Sequence, residues 1–267
     1  MGEYLAGFIG CGNMGGALCA VAAKRAGGGS ILTADHNESK LQRLHGEYGT
    51  VPSTAKEIAE KCPLIVLGVK PQVMAAAAEE IRDILAWRGN GCTVVSMAAG
   101  MTAETVSGLL GGNPVIRIMP NTPAAVGQGV ILYCLGKEVT EEAERALLDL
   151  LSPAGTMLRL DEGKIDAGSA VSGCGPAFVC MFAEALTDGG VRCGLTREQA
   201  SRLALQTIAG SALLAMETGT DPALLRAQVC SPAGSTIEGV AALEERAFRA
   251  AVMEAVAAAY RRTKELG

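Results

Sequence analysis

The spacing of apolar and polar positions changes character near Gly163. Before it, short runs rich in Val, Ile, Leu and Thr alternate with stretches whose apolar residues recur every three or four positions, the pattern of a parallel sheet covered by helices. The spacing predicts strands over Leu5–Ile9, Ser30–Ala34, Leu64–Val69, Thr93–Met97, Pro114–Met119, Val130–Leu135 and Thr156–Leu160. Helix-start signals stand between them: Asn37 can cap ESKLQRL, Thr54 and Glu57 have capping-box spacing, and Thr140 precedes the acidic first turn of EEAERALLDLL.

After Gly163 the strand signal disappears. KIDAGSAVSG reads as helix, as do PAFVCMFAEALTDGG, with Pro176 at a first helical position, and the segment opened by Thr196 and Gln199 in TREQ. Gly219 is suited to end that segment, and Asp221 with Pro222 to begin another. Apolar residues at 248, 251, 252, 255, 256, 259 and 260 mark the buried face of a last helix, expected to start at Ser235 with Glu238 completing a capping box. The expected architecture is an α/β Rossmann-type N-terminal domain over residues 1–162, then an all-α C-terminal dimerisation domain over residues 163–267. Dimerisation follows from Ala177–Leu186, apolar nearly all round apart from Glu184: such a helix is buried on several sides, and a small helical domain has little interior to offer.

Composition narrows the partners. The 267 residues are 49% hydrophobic, enough for sizeable cores. Net charge is −5 and the 23 Lys and Arg are scattered, so nothing suggests nucleic acid. No basic segment precedes an apolar core in MGEYLAGFIGCG, and Lys70, Glu184 and Asp188 interrupt the longest apolar stretches; the expectation is a soluble, cytoplasmic protein without a membrane span. Nine Cys without CxxC spacing and two His indicate neither a disulfide framework nor a metal site, and the thiols read as small buried hydrophobes. His36 and His45 both fall in the second βα unit, so no Ser-His-Asp or Cys-His constellation is indicated, and the chemistry is expected to need no strong protein base.

GFIGCGNMGGAL sets Gly10, Gly12 and Gly15 directly after the first strand and at the start of a helix. Gly10 permits the tight turn, Gly12 lets the backbone approach a pyrophosphate and Gly15 allows close helix packing; Cys11, Asn13 and Met14 fill the same cofactor-binding turn. Asp35, at the end of the second strand in TADHN, stands where a carboxylate accepts the ribose hydroxyls of NADH. His36 and Lys40 are near enough in sequence to meet the 2′-phosphate of NADPH, and Asp35 also reads as a helix-initiating surface residue, so the cofactor is NADPH or NADH. VKPQ, with Val69, Lys70 and Pro71, follows the third core strand, where a ligand-facing loop belongs. In MPNTP, two prolines bracket Asn121 and Thr122 and fix them for a carboxamide or ribose, or form an ordinary turn. Tyr133 and Lys137 have YxxxK spacing but sit on a strand ending at Gly136, so they share no helical face.

VCSPAGSTIEGV interrupts the helical half with small and hydroxyl residues. The amides opening the following helix point back into this loop, Ala233 and Gly234 leave room for a ligand, and Ser231, Ser235 and Thr236 offer hydroxyls. Two readings stand at this point: an anion-binding loop, or a helix-helix corner capped by its own serine.

GFIGCGNMG, VKPQ, SMAAGMT, RIMPNTP, SAVSGCGPAF and VCSPAGSTIEGVAALEE, in this order, resemble the pyrroline-5-carboxylate reductase family over residues 5–265. The resemblance implies NAD(P)H-dependent reduction of 1-pyrroline-5-carboxylate to L-proline, the last step of proline biosynthesis, by a homodimer often assembled into a ring of dimers. It implies that Ser231, Ala233, Gly234, Ser235 and Thr236 hold the substrate carboxylate, and that the Thr236 hydroxyl faces the ring nitrogen as the catalytic contact. Val171, Ser172, Gly173 and Cys174 complete the pocket, part of which comes from the neighbouring subunit, and Ala98 and Ala99 of SMAAGMT join the cofactor site. Cys174, Phe178, Ala233 and Ser235 depart from the family's usual Ser, Tyr, Gly and Thr or Ala, and Asp35 stands where the family often has Asn or Ser before Arg. A β-hydroxyacid dehydrogenase or another imine reductase is the enzymatic alternative, but the former needs a helix Lys that PAFVCMFAEALTD lacks. A non-catalytic NAD(P)H-binding regulator is the alternative from another class.

Overall fold

The computed structural model describes residues 4–266. It divides into two compact units, one running to Cys174 and resuming at Ala259, the other Gly175–Ala258.

The first unit is built on a sheet ordered β3-β2-β1-β4-β5-β6-β7-β8. Its strands are β1 (Ala6–Ile9), β2 (Ile31–Ala34), β3 (Val51–Pro52), β4 (Leu64–Leu67), β5 (Thr93–Ser96), β6 (Val115–Pro120), β7 (Gly129–Leu135) and β8 (Gly155–Arg159). β1, β2, β4 and β5 are buried at every position, because helices cover both faces; their sequences therefore run continuously apolar instead of alternating. All pairs are parallel except β6 with β7, a correction to the parallel expectation. Only a short 3-10 turn, Thr122–Val126, separates these strands, whereas a parallel crossover needs on the order of a dozen residues. The sequence pattern also misses β3, a two-residue edge strand whose Pro52 has no amide hydrogen for a ladder.

Helices α1 (Asn13–Ala26), α2 (Glu38–Tyr48), α3 (Ala55–Lys61), α4 (Pro71–Arg88), α5 (Ala103–Leu109) and α6 (Glu141–Leu151) flank the sheet. On one face Leu18 and Val21 of α1 and Leu147 and Leu151 of α6 pack against Phe8, Val66 and Ile118. On the other, Ile58, Ile81, Leu85 and Val106 meet Ile65, Leu67 and Val94. Asn37, Thr54 and Thr140 cap their helices as their spacing predicts. Glu57, though, turns to Ser53 and Lys61 rather than closing a box with Thr54.

The first unit also takes in the start of the helical half. Helix α7 (Glu162–Ser172) belongs to it: Ile165 packs with Met119, Leu132 and Cys134, and Glu162 accepts the Ala103 amide at 2.6 Å. Arg117 of β6 is buried and needs partners for its charge. It finds Asp166 of α7 at 2.7 Å, with Glu162 3.8 Å away, and Lys264 reaches the other Asp166 oxygen at 3.1 Å. Burial disfavours the Asp166 charge, but its hydrogen bonds to Arg117 and Lys264 outweigh that and hold the carboxyl below its usual range. These contacts explain why the chain from Ala259 returns to this unit.

The second unit comprises α8 (Gly175–Arg192), α9 (Arg197–Thr218), α10 (Pro222–Gln228), α11 (Ser235–Glu245) and α12 (Phe248–Leu266), the last continuing into the first unit. Thr196 and Gln199 close a full capping box, and Gly219 ends α9 in the left-handed conformation. The single last helix expected from Ser235 is instead two, parted at Arg246 and Ala247, with Ala247 at φ +55°. The Phe248 ring lies 5.8 Å from that of Phe182, joining the start of α12 to α8. Met181, Leu203, Leu205, Leu214, Met216 and Met253 are exposed on these helices. Cys180, on α8, and Cys193, in the turn after it, are exposed as well, against the expectation that the thiols are buried. By length and composition the helical run Glu162–Arg192 is apolar enough to cross a membrane, since Glu184 and Asp188 are too few to break its average. The same composition suits a helix covered by another protein surface.

Candidate functional site

Within the first unit the strand order reverses direction between β1 and β4, and the expected cofactor residues gather at the carboxyl ends of these strands. Gly10 follows β1 with φ +91°, a conformation costly for any side chain, and its amide donates to the Ala34 carbonyl at 2.8 Å. A Cβ on Gly15 would collide with the Gly10 carbonyl, so α1 can lie this close to the turn only with glycine there. Gly12, the N-cap of α1, is different: a Cβ there would meet nothing within 4 Å, and no side chain caps the helix. The turn thus presents uncapped amides of α1 with open space in front of Gly12, which fits a dinucleotide pyrophosphate. Asn13 and Met14 form the first residues of that helix.

Cys11 is buried. Its thiol is pushed up to about 12 by that burial and by the neighbouring Asp35 charge, so it stays protonated and unreactive. The Cys11 amide donates to Asp35 Oδ2 at 2.7 Å, the Asn37 amide to Oδ1 at 2.9 Å, and the Lys40 ammonium sits 3.4 Å from both oxygens. Burial works against ionisation of Asp35, but the two amide bonds and Lys40 outweigh it and hold the carboxyl below its usual range. His36 is exposed on the bend that follows.

Val69 and Lys70 lead from β4 into α4, whose first residue is Pro71, and Ala98 and Ala99 lie in the loop after β5. Ala98 is fully buried and Ala99 exposed. Asn121 departs from expectation: its side chain is 7% exposed, donates to the Ser172 carbonyl at 2.9 Å and accepts the Val130 amide at 2.8 Å. It ties the end of β6 to β7 and to the end of α7, so both polar atoms serve the fold before any ligand. Tyr133 donates to Glu144 and Lys137 pairs with Glu104, which separates the YxxxK residues as their strand position predicts.

Two contributors escape the sequence pattern. A Cβ on Gly68, directly after β4, would strike the Gly10 carbonyl, so the turn packs on glycine from both sides. Arg43 of α2 places its guanidinium 3.7 Å from where a Cβ on Gly16 would lie. The available signals were a glycine ending an apolar strand and the Lys40–Arg43 spacing, which puts two cations on one helix face.

Among the proposed substrate residues, Val171, Ser172, Gly173 and Cys174 form the carboxyl end of α7 and the turn after it. Ser172 donates to Gly168, and Val171 is exposed. In the second unit, the Gly234 amide donates to the Ser231 carbonyl at 3.1 Å, closing a turn that holds Ala233 at φ +55°. The predicted Ser235–Glu238 capping box does not form: Gly234 is the N-cap, Ser235 is the first helical residue and no side chain caps α11. Thr102, Thr140, Thr196 and Asp221 each cap their helices, whereas α1 and α11 open on glycine with their first amides uncapped. The hydroxyls of Ser231, Ser235 and Thr236 have no hydrogen-bond partner among the described residues, and all three side chains are exposed. This geometry can receive an anion through amides and hydroxyls without any charged side chain.

A family model for the pyrroline-5-carboxylate reductase dimerisation domain matches residues 162–266, and a model for NADP oxidoreductase, coenzyme F420-dependent, matches residues 6–100. The chain is 38% identical to a pyrroline-5-carboxylate reductase of Arabidopsis thaliana, covering 99% of this chain and 96% of that one. It is 38% identical to one of Escherichia coli, covering 99% and 98%. Among solved structures, a Plasmodium falciparum pyrroline carboxylate reductase with NADP bound aligns at a TM-score of 0.88 and 31% identity, over 100% of this chain and 99% of that one. A Coxiella burnetii pyrroline-5-carboxylate reductase aligns at 0.92 and 29% identity, over 99% of each.

Proposed function

This chain belongs to the pyrroline-5-carboxylate reductase family, and from that premise we propose that it reduces 1-pyrroline-5-carboxylate to L-proline, the last step of proline biosynthesis, in the cytoplasm. The observation that carries the reading is the start of α11, where uncapped amides and unpartnered hydroxyls stand together in a loop of small residues. A substrate carboxylate matches such a site in charge and in hydrogen-bonding capacity.

In this reading the amides of α11 and the hydroxyls of Ser231 and Ser235 hold the carboxylate, while Ala233 and Gly234 keep the loop low enough for the ring to approach. Val171, Ser172, Gly173 and Cys174 are proposed as a further substrate-binding stretch, part of the pocket being supplied by a neighbouring subunit. When bound, the dihydronicotinamide supplies the hydride that adds to the imine carbon. The Gly10–Asn13 turn and the amides of α1 hold the dinucleotide pyrophosphate, with Val69, Lys70, Pro71, Ala98 and Ala99 bordering its path along the strand ends. Asn121 acts by fixing the β6–β7 connection. The imine takes a proton from solvent, which makes it an acceptor for hydride, and the Thr236 hydroxyl hydrogen-bonds the ring nitrogen as it becomes an amine. The residues thus position and neutralise rather than supply a strong base, in keeping with a chain that has two His.

The exposed apolar faces of α8 and α9 favour a second protomer as their cover, and we assign the active form as a homodimer that further assembles into a ring of dimers.

The test is oxidation of NADH and NADPH with 1-pyrroline-5-carboxylate. Turnover is expected, with kcat/KM falling about tenfold to a hundredfold in Thr236→Ala, the worth of a hydrogen bond to a charged group, and largely kept in Thr236→Ser. Absence of turnover with both cofactors would sink the activity. Unchanged kinetics in Thr236→Ala would sink only the role given to that hydroxyl.

A further inference from the structure

Asp35 directly follows β2 beside the Gly10–Asn13 turn, the place in a doubly wound sheet where the adenosine ribose meets either an acidic side chain or cations suited to a 2′-phosphate. Both carboxylate oxygens are anchored, one by the Cys11 amide at 2.7 Å and one by the Asn37 amide at 2.9 Å. Turning the group away from the turn would therefore break two hydrogen bonds. Its side chain is 10% exposed and, with its carboxyl held below the usual range, carries full negative charge at neutral pH. Lys40, which could otherwise serve a phosphate, lies 3.4 Å from both Asp35 oxygens and is already matched by that charge. Arg43 faces α1 beside Gly16, and His36 is exposed on the bend. Neither side chain is bonded to the anchored carboxylate.

We infer that Asp35 makes this chain select NADH over NADPH, in contrast to the NADP named in the family model matching residues 6–100 and bound in the Plasmodium falciparum structure. A 2′-phosphate brought against Asp35 sets two anionic groups beside one ammonium, and like charges at contact are strongly unfavourable. A 2′-hydroxyl instead donates to a remaining lone pair of the carboxylate. The inference rests on the dinucleotide-binding part of the proposed function and is independent of the imine substrate.

Calorimetric titration of the whole protein with NADH and with NADPH, without imine, reads the selectivity directly. NADH is expected to bind at least about tenfold more tightly, the scale of an uncompensated like-charge contact. Asp35→Asn keeps an oxygen for one amide and removes the charge, so it should narrow that ratio about tenfold or more, chiefly by tightening NADPH. A thermal melt checks that the variant folds, and Asp35→Ser removes the charge with a different shape. Equal or tighter binding of NADPH by the unaltered protein would overturn the inference, as would a ratio unmoved in both variants. Binding of neither dinucleotide would overturn the cofactor reading of the turn and the inference with it. NADH-selective binding without imine reduction would leave the inference standing and sink the substrate assignment.

Discussion

Ala233 holds φ at +55° in the loop before α11, a conformation that an L-residue adopts at a cost of about 1–2 kcal/mol. Glycine would remove that cost but would lose more backbone entropy on folding, a penalty of about 0.4–1 kcal/mol. The steric term is the larger, so Ala233→Gly should be more stable by up to about 1 kcal/mol, seen as a higher urea midpoint at unchanged slope. A clear loss of stability would mean that the exposed methyl makes contacts outweighing the strain. Residue by residue, the sequence was most informative where a side chain acts on its own backbone neighbours: Asn37, Thr54, Thr140 and Thr196 all cap where their spacing places them. It misled at Ser235, and it left unseen the structural bonds of Asn121. Capping-box spacing at Ser235 is overruled because the turn closed by Ser231 and Gly234 delivers Gly234 to the N-cap position. Asn121 is claimed by the Val130 amide and the Ser172 carbonyl, partners far along the chain that no local pattern reveals.

At the scale of elements, the close approach of α1 to β1 and β4 separates two kinds of glycine. Gly12 has an extended backbone that alanine tolerates, and its Cβ would point into open space, so Gly12→Ala should change stability by less than about 0.5 kcal/mol. Its dinucleotide affinity should nevertheless fall about tenfold or more, because the methyl occupies the approach to the α1 amides. Gly15→Ala instead forces α1 away from the Gly10 carbonyl and should cost about 1–3 kcal/mol of stability besides binding. Denaturation and cofactor titration of both variants check this, and equal destabilisation of the two would contradict the open space at Gly12. The strands were legible because burial on both faces makes each an unbroken apolar run bounded by turn residues. β3 was not, since two residues carry no period, and the antiparallel turn of β7 follows from the length of its connection rather than from its composition.

For the whole molecule, the apolar surface of the second unit calls for a partner that a single chain does not provide. Met181 on α8 is 69% exposed and Met216 on α9 68%, in the segment matched by the dimerisation model. Met181→Lys and Met216→Glu should each shift the protein towards monomer in analytical ultracentrifugation at micromolar concentration, since an unpaired charge in an apolar interface is costly. Dinucleotide binding should survive, because the first unit has its own cores on both faces of its sheet. An unchanged sedimentation coefficient in both variants would remove these residues from the interface. Helix α7 is held to the sheet for a long-range reason: Arg117, buried in β6, needs the carboxylates of α7, and Asp166 in turn draws in Lys264.

By itself the sequence determined what depends on neighbours within a few positions: strand runs, helix caps, the glycine turn before α1, and the family resemblance borne by motifs in order. The tertiary structure decided what depends on residues brought together from a distance. It showed that Asp35 is anchored by the glycine turn and matched by Lys40, that Gly68 completes the packing around Gly10, and that α11 opens without a cap. The physical reason is that hydrogen bonds, burial and charge balance act through space, whereas periodicity and spacing record only the order of residues along the chain.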